Sequence, residues 1–120
     1  MRNFRNYDFW QDSKSLTIEI CKAAIKFPDY EKFALSSQLR RAIVSLTSNI
    51  SEGAGRESGR DFYNFLDIAL GSAYEAKTQI EIVYALEYFS LEQKNDFIER
   101  SQSIERRIAA FIKYIRKSAL

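Results

Sequence analysis

Apolar residues recur along this chain at spacings of three and four, the pattern of helices that each lay one face on a core. Phe9, Leu16, Ile20, Ala23, Ala24 and Phe27 mark a first helix over about residues 9–26. Pro28 stops it, because the residue before proline avoids the α region. A single turn is expected over Asp29 to Phe33. Leu35, Leu39, Ala42, Ile43, Leu46 and Ile50 predict a second helix over about 36–52, capped by the hydroxyl of Ser36 or Ser37 and closed by Gly53 in a left-handed conformation. Phe62, Phe65, Leu66, Ala69, Ala73, Ala76, Ile80 and Val83 carry a third helix over about 59–88, opened by Ser58 with Asp61 three residues on. Ser90 and Gln93 spell a capping box for a fourth, about 91–117, whose stripe is Phe97, Ser101, Ile104, Ile108, Phe111 and Ile115. No stretch alternates with period two for long enough to suggest a sheet. Four helices with short joints predict one all-α domain over 1–120, an up-down-up-down antiparallel four-helix bundle. The second pair is longer, about 40 Å against about 27 Å. The lead-in to the first helix offers Phe4, Tyr7 and Phe9 or Trp10, which can dock it on the bundle or on a neighbouring subunit.

A second pattern lies beside the apolar one. Gln38, Arg41, Ser45, Ser48, Asn49 and Glu52 share one side of the second helix, and Ser72, Glu75 and Gln79 one side of the third. A solvated face more often carries long charges. Short hydrogen-bonding residues suit close packing against a neighbour. Two readings stay open: partly buried hydrogen bonds that fix register, with Arg41 and Glu75 paired across the two helices, or a binding or catalytic groove.

Composition narrows the chemistry. The chain of 120 residues has no histidine and one cysteine. That removes Ser-His-Asp and Cys-His catalysis, the Glu-x-x-His di-iron sites of some bundles, and a zinc site of the usual N/S type. Cys21 falls among Ile20, Ala23 and Ala24, where an inert thiol is expected. Gly53-Ala54-Gly55-Arg56-Glu57-Ser58-Gly59 follows a helix rather than a strand and lacks the Lys-Ser/Thr of a phosphate loop. No cofactor and no enzymatic activity are expected. The N-terminus has no apolar signal region, and no stretch approaches the roughly 18 apolar residues of a spanning helix. A cytoplasmic protein without membrane contact is the expectation.

The net charge is only +2, from 18 basic and 16 acidic residues. The basic residues are nonetheless grouped. Arg40, Arg56 and Arg60 flank the second helix and its loop, and Arg106, Arg107, Lys113, Arg116 and Lys117 fall on the fourth with Tyr114 for stacking. These are the candidate nucleic-acid contacts, because phosphate binding needs only continuous positive charge. The alternative is a set of solvated helix faces on a scaffold with no affinity for nucleic acid. Trp, Tyr and Phe together number 17 (1, 7 and 9), more than one small core can hide, which points to self-association.

The runs SSQLRRAIVSLTSNISEGAGR (Ser36 to Arg56) and FYNFLDIALGSAYEAKTQIEIVYAL (Phe62 to Leu86) resemble the bacterial four-helix bundle proteins, also known as 23S rRNA intervening-sequence proteins. The resemblance extends over nearly the whole chain. It implies an up-down bundle assembled as a homopentamer, with no established activity. It also implies kinship with the accessory variability protein of diversity-generating retroelements, which binds nucleic acid and a reverse transcriptase through a strongly basic surface. This chain departs from that relative in its near-neutral charge. RNA or a reverse-transcriptase-like protein is the partner class this suggests. Gln38, Arg41, Ser45, Asn49, Glu52, Ser72 and Glu75 correspond to the family's polar signature.

Overall fold

The computed structural model describes residues 2–119. Its helices are α1 (Asp8–Ala24), α2 (Ser37–Ala54), α3 (Gly59–Ala85) and α4 (Leu91–Ala119). They form an antiparallel four-helix bundle, elongated to 48 × 23 × 20 Å. Each helix packs on its neighbour in sequence, and α1 closes the square against α4. No strand occurs among the described residues.

The core is the predicted set of stripes. Leu16, Ile20, Leu39, Ile43, Leu46, Ile50, Phe62, Leu66, Ile80, Val83, Ile104 and Ile108 are fully buried side chains at helical spacing. At one end the arm docks on the bundle: the Tyr7 ring packs on Phe62 and Phe111, with centroids 5.9 and 5.2 Å away. With 27 and 29 residues, α3 and α4 are the long pair, about 40 Å each, as expected.

Two caps match their spelling. Ser58 Oγ accepts from the Asp61 N–H at 3.0 Å. The Ser90 N–H donates to Gln93 Oε1 at 2.9 Å, and the Gln93 N–H to Ser90 Oγ at 3.0 Å. Two other expectations are corrected. Neither serine caps α2. A 3-10 turn (Asp29–Glu31) leads into a π-helical turn (Lys32–Ser36) that runs straight into the helix, and Ser36 Oγ instead donates to the Ala24 carbonyl at 3.2 Å. Gly53 lies inside α2, and no described glycine has positive φ. Its small size serves a close helix crossing instead: a Cβ there would fall 2.7 Å from Phe65 Cβ and 3.0 Å from Phe62 Cδ1. The third helix ends at Ala85, short of Tyr88. Glu87 takes the left-handed conformation (φ 68°), while the Glu87 and Tyr88 N–H groups return to the Tyr84 and Val83 carbonyls. This is a Schellman closure built on a glutamate where glycine is usual.

Candidate functional site

The structure divides the predicted cations by position. Arg56, Arg60, Lys113, Arg116 and Lys117 lie at the end of the bundle where α2 leaves, α3 starts and α4 finishes. Arg40 lies at the other end, where its Nε donates to the Ser36 carbonyl at 3.4 Å. Burial raises the pKa of the nearby Cys21 thiol, and the Arg40 charge pulls it back only in part. Arg106 is exposed midway along α4. Arg107 is spent inside the chain: its Nη1 meets Asp12 Oδ2 at 2.8 Å and Asp8 Oδ2 at 3.5 Å, strapping α4 to α1.

At the basic end the cations sit on rings. The Arg56 guanidinium lies 4.7 Å from the Phe65 centroid while its Nη2 pairs with Glu52 at 3.1 Å. Arg116 covers Tyr63 at 5.1 Å, tying the last turns of α4 to the first turn of α3. Arg2, absent from the predicted set, covers Phe62 at 4.9 Å and donates to the Arg56 carbonyl. Arg5 covers Phe4 at 4.6 Å. A pocket of about 340 Å³ opens between Arg2, Tyr7, Phe62, Phe111, Tyr114 and Ser118. Burial raises the Tyr7 hydroxyl pKa, with Arg2 lowering it in part. Guanidinium groups held over aromatic rings beside an open pocket are suited to phosphates, with Tyr114 exposed for a stacked base. Among the described residues Glu57, Asp61 and Asp8 also place exposed acid at this end, beside Glu52, which pairs with Arg56. The larger groove, about 790 Å³, lies away from this end between α1 and α4 and mixes Glu19, Asp96 and Glu99 with Lys22 and Lys26.

The polar seam is only half interior. Ser45 and Ser72 share a hydrogen bond at 2.8 Å between α2 and α3, and Asn49 Nδ2 donates to the Ser45 carbonyl and Oγ at 2.8 and 3.0 Å. Ser72 and Gln79 are buried, whereas Gln38, Arg41, Glu52 and Glu75 are exposed. The anticipated Arg41–Glu75 pair does not form. Arg41 has no ion pair among the described residues, and Glu75 accepts only from Gln79 Nε2, at 3.4 Å. Both charges are exposed to solvent.

Two further clusters escape sequence reading. Lys77 Nζ meets Glu105 Oε1 at 2.9 Å, and Ser101 Oγ donates to Glu105 Oε2 at 2.8 Å. At the far end Tyr30, Phe33, Leu86 and Leu91 are exposed, Phe33 to 95%. Among the described residues no His/Cys/Asp/Glu group could hold a metal, and no helix is long and apolar enough to cross a membrane.

The sequence profile of the 23S rRNA-intervening sequence proteins matches residues 5–110. The solved structure of a protein of unknown function from the S23 ribosomal protein family of Bacteroides thetaiotaomicron VPI-5482 is similar to this chain. The TM-score is 0.79 at 28% identity, over 88% of this chain and 98% of that one. No curated protein matches the chain.

Proposed function

This chain belongs to the 23S rRNA-intervening sequence protein family, and from that premise we propose that it is a binding protein rather than an enzyme, a cytoplasmic self-associating bundle that holds RNA by its basic end. The observation that carries the RNA reading is the set of ring-backed guanidinium groups, Arg2 on Phe62, Arg56 on Phe65 and Arg116 on Tyr63, gathered with Arg60, Lys113 and Lys117 at one end. Guanidinium groups held against rings are partly positioned before binding, so phosphates meet charge already in place. In an assembly of several copies, five in the expected ring, these ends repeat and their weak individual contacts add.

Fluorescence anisotropy with a structured ribosomal RNA fragment tests this. With about four phosphate contacts per copy, affinity should fall about 100-fold between 50 and 200 mM salt. Arg116→Glu should abolish most of the binding, and Arg40→Glu, at the opposite end, should leave it nearly intact. Equal loss from both variants would remove the basic end from the account. A second reading, a protein adaptor without affinity for RNA, draws on the exposed Tyr30, Phe33, Leu86 and Leu91. Salt-independent silence toward RNA would favour it.

A further inference from the structure

We infer that the pocket at the basic end takes one unpaired nucleotide of the bound RNA, its base on Tyr114 and its phosphate at Arg2, an inference that rests on the RNA reading above. Three parts of the chain build this pocket. The arm supplies Arg2 and Tyr7, the first turn of α3 supplies Phe62, and the last turns of α4 supply Phe111 and Tyr114. The first sign is the lining. Around about 340 Å³ it sets one cation and, among the described residues, no carboxylate. The groove between α1 and α4 instead sets Glu19, Glu92, Asp96 and Glu99 against Lys22 and Lys26, an excess of acid that repels a phosphate. The pocket's volume lies at the low end of the roughly 300–1,000 Å³ range of ligand sites, room for one nucleotide and not for a duplex.

The second sign is surface left over. Phe62, Phe65 and Tyr63 are already covered by guanidinium groups, whereas Tyr114 is 65% exposed and no cation of the described residues covers it. Its ring continues from Phe111 at 5.8 Å with the planes 35° apart, and Tyr7 meets Phe111 at 5.2 Å with the planes 63° apart. The three rings thus form a corner rather than a flat patch. No described residue hydrogen-bonds the Tyr7 hydroxyl, and it is not among the fully buried atoms. A phenol both donates and accepts, so it is free to bond the polar edge of a base.

The third sign is where Arg2 stands. It lines this aromatic pocket and also a second hollow, which it shares with Gly55, Arg56 and Glu57. Its Nη1 donates to the Arg56 carbonyl, which holds it between the two. A strand whose backbone follows Arg2 and Arg56 meets charge on one side and the ring corner on the other. A base inside a duplex has both faces covered by its neighbours. Only a looped-out or terminal base can lay a face on Tyr114.

Fluorescence anisotropy on the full chain, with two RNA hairpins identical except for one looped-out adenosine in the stem of the second, decides between outcomes. The bulged hairpin should bind about 5- to 150-fold more tightly, the span of one base–aromatic stack. Tyr114→Phe should keep that preference. Tyr114→Ala, an exposed change to a strong helix former, should erase it with the helical circular dichroism unchanged. Equal affinity of the wild type for the two hairpins would overturn the nucleotide pocket and leave the RNA reading standing. So would a preference that survives Tyr114→Ala. Silence toward both hairpins would overturn both.

Discussion

Lys77 Nζ and Glu105 Oε1 meet at 2.9 Å in the wall between α3 and α4, with the glutamate side chain only 9% exposed. Ser101 completes the second carboxylate oxygen. Removing one partner of such a pair leaves a desolvated charge. Lys77→Met should therefore cost about 3 kcal/mol, read as the shift of a urea midpoint, and adding Glu105→Leu should recover most of it. A double variant as weak as the single would show that the pair is not the cause.

Gly53 and Gly71 predict opposite signs. Alanine gains up to about 1 kcal/mol over glycine in a helix. At Gly71 nothing opposes that gain. At Gly53 the new methyl strikes Phe65 Cβ and Phe62, and the overpacking of about 1–3 kcal/mol wins. Thermal melts of Gly53→Ala and Gly71→Ala should move down and up respectively.

Glu87→Gly should stabilise the chain by about 1 kcal/mol, because glutamate adopts the left-handed backbone at a steric cost that glycine avoids. The gain should appear in chemical denaturation with an unchanged slope. A loss of stability would show that the Glu87 side chain contributes more than its backbone strain removes.

Arg100 sets an acid limit on the α1–α4 closure. Its hydrogen bond to Glu19, 2.7 Å between Nη2 and Oε2, holds the Glu19 carboxyl below its ordinary value of 4.5. A depressed carboxyl contributes stability that is complete above the unfolded value and is lost as pH falls through the folded one. The melting-temperature gap between wild type and Arg100→Gln should be widest above about pH 5 and narrow steadily below the ordinary glutamate range. A gap that is the same at pH 3 and pH 7 would assign the effect to packing of the arginine stem.

The helices and their stripes were legible in the sequence because burial imposes a period, and Ser58, Ser90 and Gln93 because a cap acts over three residues. Ser36 was not legible, since its partner is the Ala24 carbonyl across an irregular turn. Gly53 spells a helix stop and a close crossing alike, and only the Phe65 contact decides. The basic end shows the same limit. Arg56 and Arg107 are the same residue type, yet one, in the loop after α2, covers a ring at the bundle's end and the other, within α4, is claimed by Asp8 and Asp12. Arg2 needed the arm's docking through Tyr7 before its place could be known. Register fixes all of these, and periodicity does not contain it.

The order of the helices around the bundle has a consequence for how the chain is born. Contacts between α1 and α2, α2 and α3, and α3 and α4 all join neighbours in sequence, whereas the Arg100–Ser15 contact spans 85 residues. Docking of α1 on α4 is the one closure that waits for most of the chain. On a translating ribosome, α1 must therefore remain without α4 until the last helix has emerged. In the finished protein its amides should be the first of the four helices' to exchange with deuterium, opening at a free energy below that of the α2–α3 hairpin. Equal protection of α1 and α3 would show that the Arg100 and Arg107 straps make the ring of helices a single cooperative unit.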